Sequence, residues 1–211
     1  MQVVLTRPNG LHLLTKATLQ QLFEDDALKI FAEGLLLNAL AEVTPDDRTA
    51  LTLADSLHSA GPPQIKALLT ALLVLDAEVN AVIDDEMRVF PLPGFLSYHA
   101  SLPPDKFPLN SMRLPPLNPD GHYLFKVLAE GHYLAARFDL HPGLKVAGHV
   151  RLAVAGPTRL PQRLKIAEHR LDRQKLDDAL IAAAIAAENK ELLVPLTRVE
   201  QVGLFELLKR V

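Results

Sequence analysis

Short apolar runs of strand character alternate along this chain with stretches in which apolar residues recur every three or four positions. Val3-Val4-Leu5 is a β-branched run stopped by the turn signal Pro8-Asn9-Gly10. Over residues 15–23, Ala17, Leu19, Leu22 and Phe23 stand at helical spacing. Asp25-Asp26 breaks the pattern, and residues 28–31 read as a second strand followed by Ala32-Glu33-Gly34. Residues 35–43 are again helical and end near Pro45, while Leu51-Thr52-Leu53 suits either a strand or the start of another helix. Residues 1–60 therefore read as strand, helix, strand, turn, helix, a small N-terminal α/β piece.

Gly61-Pro62-Pro63 marks a break. Residues 65–75 follow at helical spacing, and 77–82 alternate as a half-buried strand does. Asp84-Asp85-Glu86 reads as a hairpin turn, with a returning strand over 87–92. Pro103-Pro104 and Pro115-Pro116 bracket a short strand over 109–114. Residues 61–118 form a central α+β subdomain on this reading.

From residue 119 onward the pattern changes to three strands, 123–128, 133–140 and 144–155. The turns between them, Glu130-Gly131 and His141-Pro142-Gly143, are short enough to require an antiparallel meander. Helices over 172–188 and 199–211 follow, with Leu176, Leu180, Ile181 and Ile185 on one apolar face and Val202, Phe205 and Leu208 on the other. The segment 119–211 thus reads as a three-stranded antiparallel sheet plus helices, and the whole chain as α+β. Gly121-His122-Tyr123-Leu124 recurs as Gly131-His132-Tyr133-Leu134. Two turn-to-strand entries of one hairpin explain this echo more simply than a pair of metal ligands.

Composition narrows the function. With 211 residues, 49% of them apolar, the chain can bury a sizeable core. A net charge of only −3 excludes a strongly basic nucleic-acid surface. There is no cysteine, hence no disulfide, thiolate nucleophile, cysteine-bound zinc or iron–sulfur cluster held by this chain. No apolar run approaches the roughly 20 residues of a membrane helix, and the N-terminus lacks the form of a signal peptide, so a cytoplasmic protein is expected. The eight histidines are scattered, phosphate-loop and metalloprotease motifs are absent, and no residue is assigned a catalytic or metal-binding role. Asp25-Asp26, Asp46-Asp47 and Asp84-Asp85-Glu86 read as solvated loops or turns.

Taken in order, several runs resemble the FAD-binding (medium) subunit of molybdenum hydroxylases, the xanthine dehydrogenase and carbon monoxide dehydrogenase group. Arg7-Pro8 and the run from Asp26 to Leu37 resemble that family's first elements. Gly61-Pro62-Pro63-Gln64-Ile65-Lys66 resembles its G-x-P-Q-I-R run. Leu72-Leu73-Val74-Leu75-Asp76-Ala77-Glu78-Val79 resembles L-L-A-L-D-A-E-V, and Val89 to Phe95 the V-P-L-x-x-F that follows. Tyr123-Leu124-Phe125-Lys126 resembles a Y-x-K strand, and Gly156 to Pro161 a G-x-x-P-T-P-x-R turn. The resemblance implies a subunit that passes electrons through FAD, with molybdopterin and iron–sulfur centres on partner subunits.

Several departures oppose flavin binding. The family's first diphosphate loop reads A-G-G-T or A-G-G-S, whereas this chain has Ala32-Glu33-Gly34-Leu35. A carboxylate about 4 Å from a phosphate charge costs about 4 kcal/mol at an effective dielectric near 20. The second loop, an I-G-G-N run, is missing, and the segment between Glu42 and Gly61 is shorter than the family's. Leu128-Ala129-Glu130 replaces a basic residue after Y-x-K. The expectation is a degenerate homologue with no cofactor, acting as a structural or interaction protein and not as an enzyme by itself. Its expected partners are molybdopterin and iron–sulfur subunits or a second copy of itself, with neither nucleic acid nor membrane insertion. The alternative is an FAD-binding electron-transfer subunit, for which Gly34, left from the diphosphate loop, and Lys126 are the flavin-side residues the resemblance supplies. A third reading, a module binding an unrelated small ligand in the vacated cleft, has no residue to name that ligand.

Overall fold

The computed structural model describes residues 2–58, 64–98, 107–128, 131–141, 144 and 146–209. The break at residues 61–63 and parts of the turns at 129–130 and 142–143 lie outside them.

The chain opens with a hairpin, β1 (Val4–Arg7) and β2 (Gly10–Leu14), closed by the Arg7↔Gly10 pair. Gly10 has φ 122°, and a Cβ there would collide with the backbone carbonyl of Leu114, so only glycine fits. The turn signal was legible, but β2 lies where no strand is expected. Thr18 and Gln21 form a reciprocal capping box that starts α1 (Leu19–Glu24).

Residues 28–31 are helical instead of the expected strand. The Asp25 carboxylate accepts the Ala27 N–H and caps α2 (Asp26–Ile30). Leu28 is buried while Ile30 is 84% exposed, whereas a strand would place both on one face. A 3₁₀ turn (Phe31–Gly34) leads into α3 (Leu35–Ala41), α4 (Pro45–Ala50) and α5 (Leu53–His58). Asp46 and Asp47 occupy the first turn of α4, where the helix dipole favours acids, so they are not loop residues.

α6 (Ile65–Val74) is buried at every position but Lys66. β3 (Glu78–Ile83), β4 (Glu86–Pro91), α7 (Leu92–Tyr98) and β5 (Leu109–Leu114) follow. The first sheet has the order β1-β2-β5-β3-β4, so the N-terminal hairpin extends the sheet of the central segment.

β6 (Gly121–Val127), β7 (Tyr133–His141) and β8 (Val146–Gly156) are the expected antiparallel meander. β9 (Arg159–Arg163) and the short β10 (Gln174–Lys175) both pair with β8, making a second sheet of five strands where three were expected. The repeated Gly-His-Tyr-Leu runs enter the two strands of one hairpin, with Val127 opposite Tyr133.

The helices are α8 (Lys165–Leu171), α9 (Asp178–Glu191) and α10 (Arg198–Leu208). α9 starts at Asp178, not 172, because Gln174 and Lys175 pair with β8 and Asp177 supplies the cap. α10 buries Gly203, Leu204, Leu207 and Leu208, while Val202, expected inward, is 54% exposed. The architecture is α+β.

The second sheet has two apolar faces. Tyr123, Phe125, Tyr133, Ala135, Ala153 and Ala155 join the cluster that includes α3, α6 and the inner face of the first sheet. Leu124, Leu134, Ala136, Phe138, Leu152 and Val154 join the cluster of α8, α9 and α10. The alanines let α6 lie close against the strands.

That alanine-rich face also carries charge. Arg137 and Arg151 are direct cross-strand partners, an arrangement that repels. Asp76, at φ 51° between α6 and β3, resolves it. Its Oδ2 accepts from Arg151 Nε at 2.9 Å and lies 3.6 Å from an Arg137 nitrogen, and its Oδ1 accepts from Arg163 Nη1 at 2.7 Å. Arg163 in turn forks onto both oxygens of Glu168, at 2.8 and 2.5 Å, and Glu168 accepts the Leu152 N–H. Asp76→Asn is expected to cost about 2 kcal/mol, below the usual range for a fully buried pair because the carboxylate is partly open to water. Thermal unfolding should then start about 4–8 °C lower. An unchanged midpoint would show that the arginines find other partners.

Candidate functional site

The run Ala32-Glu33-Gly34, singled out by the resemblance, forms a left-handed turn. Ala32, Glu33 and Gly34 have φ of 52°, 53° and 77°. Glycine adopts this shape freely, but alanine and glutamate take it at a cost of about 1–2 kcal/mol each. The turn is nevertheless firmly held. Ala32 and Leu35 are buried, and a Glu33 carboxylate oxygen accepts the Tyr123 N–H of β6 at 3.3 Å. Among the described residues β6 is an edge strand of the second sheet, so Glu33 satisfies a backbone donor that no described strand pairs.

Gly34 sits at the start of α3, half-buried. Lys126 is half-buried in β6 and shares the strand face of Leu124, which packs toward α8, α9 and α10. Tyr123 and Phe125 point to the opposite face, toward α3 and α6. Strand alternation therefore sets Lys126 and the Gly34 turn on different faces of the sheet and does not bring them together. Of the segment 128–130, only Leu128 is among the described residues; it packs against Gly203 of α10.

Lys66 is the cation of the run that resembles G-x-P-Q-I-R. Its Nζ donates to the Gly156 and Pro157 carbonyls, both at 2.8 Å. Burial lowers its pKa. Two separate family-like runs thus clasp each other, and the ammonium's donors are directed at backbone.

Below that clasp lies a buried ionic centre that the sequence pattern did not single out. Glu200 is fully buried and accepts from Arg159 Nε at 3.2 Å and from the Thr197 N–H at 2.7 Å. His132 Nδ1 lies 3.1 Å from the same carboxylate. Arg159 also donates to the Val194 and Pro195 carbonyls, at 2.7 and 2.6 Å. A Cβ on Gly156 would stand 2.8 Å from His132 Nδ1, so glycine is what lets the turn approach this centre. Each of the three side chains has a structural partner, and all three are buried. His122, the other histidine of the repeat, is exposed and stacks on Phe138 at 5.6 Å. Among the described residues, no group of three or more His, Asp or Glu could hold a metal ion. No helix among them is long and apolar enough to cross a membrane.

No protein-family model matches the sequence, and neither does any curated protein. Solved structures do match. A chain of carbon monoxide dehydrogenase from Hydrogenophaga pseudoflava, in a form lacking the Mo-pyranopterin moiety of the molybdenum cofactor, superposes with TM-score 0.76 at 14% identity, over 99% of this chain and 75% of that one. A chain of reconstituted CO dehydrogenase from Oligotropha carboxidovorans gives TM-score 0.76 at 14% identity, over 99% and 76%. A chain of quinoline 2-oxidoreductase from Pseudomonas putida 86 gives 0.71 at 18%, over 98% and 73%. This chain shares their fold. The expected resemblance to molybdenum hydroxylases holds at that level over the whole chain, and the chain is shorter than its counterparts.

One carboxylate beside an exposed histidine is shifted by folding. His149, itself strained at φ 51°, places Nδ1 2.6 Å from Asp139 Oδ2. Burial would raise the Asp139 pKa, but hydrogen bonds from Asn118 and His149, with Arg137 nearby, hold it below the usual value. A carboxyl lowered on folding stabilises the fold above its unfolded pKa, about 3.9, and that gain is lost as pH falls through the folded value. Asp139→Asn should therefore be less stable than the parent at about pH 6, with the gap closing toward about pH 3 in urea titrations. A gap independent of pH would remove the charge from the explanation.

Proposed function

We propose that this chain is a shortened homologue of the flavoprotein subunit of carbon monoxide dehydrogenase-type molybdenum hydroxylases that does not hold FAD and acts as a structural or interaction protein. The observation that carries the reading is Glu33. Its carboxylate lies in the turn that matches the first diphosphate loop and accepts the Tyr123 N–H. A diphosphate brought to this turn would meet negative charge, where the family's loop offers glycine backbone and a hydroxyl. Leu35 supplies buried hydrocarbon in place of that hydroxyl. Lys66, a cation that could have answered phosphate, donates to the Gly156 and Pro157 carbonyls. The residues at this turn do not fit FAD. On this reading the partners are molybdopterin and iron–sulfur subunits or a second copy of the chain, and the protein is not catalytic by itself.

The test is direct. Purified protein mixed with FAD and passed through gel filtration should emerge colourless, with no flavin absorbance or fluorescence. Stoichiometric yellow protein would overturn the reading. Glu33→Gly combined with Leu35→Thr should not reach micromolar affinity, because the second loop is absent from the sequence. Tight binding by that double variant would mean that the second loop is dispensable.

A further inference from the structure

Among the described residues, β4 is the outer strand of the first sheet. Its hairpin loop is only Asp84-Asp85, so Ile83 and Glu86 form the hydrogen-bonded pair that closes it. Bonded pairs then recur at Ala81–Arg88 and Val79–Phe90. This alternation turns the N–H and C=O groups of Met87 and Val89 away from β3. Among the described residues, no strand pairs with that side. The same two residues expose their side chains, Met87 by 63% and Val89 by 55%. An apolar edge with free backbone groups is a template for another strand.

We infer that β4 pairs with β4 of a second copy of this chain, antiparallel, about a two-fold axis at Met87. The outward-facing groups allow three registers for such a pair. Centring on Val89 sets Pro91, which has no N–H, against Met87 and loses bonds on both sides. Centring on Arg88 sets two guanidinium groups directly opposite each other. Centring on Met87 also leaves Val89 without ladder bonds, because it faces Asp85 of the hairpin turn at φ 62°, but it lets the two Met87 residues exchange both backbone bonds and sets Glu86 opposite the second copy's Arg88, twice over. Charge complementarity selects this last register. Both charged side chains are available for it, with 75% of Glu86 and 50% of Arg88 exposed and only a 3.6 Å contact between them within the chain. The pairing is isologous, so it closes at two copies and does not propagate. It is also small, which makes the dimer a weak one that responds to concentration.

This inference deepens the interaction reading above by naming one partner surface, and it fails separately from the flavin test, which reads a different property. Sedimentation velocity of the full chain over a concentration series should show a monomer–dimer equilibrium. Arg88→Glu should weaken the dimer about tenfold. Adding Glu86→Arg to it should restore the dimer. Because the chain has no cysteine, Met87→Cys offers a single thiol, and a short bis-maleimide should link two copies there far better than at Val89→Cys. All of these side chains are exposed, so the variants should melt like the parent, which a thermal scan checks. A monomer at every concentration, a dimer indifferent to Arg88→Glu, no rescue by the charge swap, or stronger linking at position 89 would each overturn the inference.

Discussion

The structure turns on one carboxylate. Asp76 ends the buried helix α6 and faces three guanidinium groups from β7, β8 and β9. Without it, Arg137 and Arg151 would stand opposite each other on a face otherwise lined with alanine and aromatic side chains. With it, the same residues become the tie between α6 and the second sheet. Glu168 extends the tie to α8, because Arg163 bridges both acids. The left-handed backbone at Asp76 fits this account, since the chain leaves α6 and enters β3 in a turn that points the carboxylate at the arginines.

A second charged centre works on the other side of the sheet, by a different rule. Glu200, Arg159 and His132 are almost fully buried, where an unpaired charge would be costly. Each finds backbone or side-chain partners, and Glu200 also serves as the N3 member of the α10 capping box. One side chain thus starts a helix, holds a buried arginine and meets the β8–β9 turn. Gly156 joins this centre to the Lys66 clasp, so the two sides of the second sheet are secured at neighbouring points.

Much of the fold was legible where the apolar period was long or the turn short. The β3–β4 hairpin, α6 and the β6–β7–β8 meander follow from period and turn residues. The strand expected at 28–31 failed because local capping by Asp25 outweighs the apolar content of a four-residue run. β9 and β10 are short and of mixed polarity, so their pairing to β8 depends on tertiary context. The Asp76 hub left a faint signal: Arg137 and Arg151 are charges at the positions that alternate with Ala135 and Ala153 on one face of their strands. The Glu33 turn was found through resemblance. Its contact with β6 was not foreseeable, because residues 33 and 123 are brought together only by the folded chain.

That contact explains how the turn keeps its shape. Of three consecutive left-handed residues, the two with side chains cost about 2–4 kcal/mol together. A loop that grips a ligand can recover such a cost on binding. Here recovery comes from within the fold: Ala32 and Leu35 are buried, and the Glu33 carboxylate satisfies an edge-strand N–H. The conformation is therefore supported without any bound group. The Glu33 side chain, which leaves the left-handed turn exposed to strain, also supplies the contact that ties it to β6.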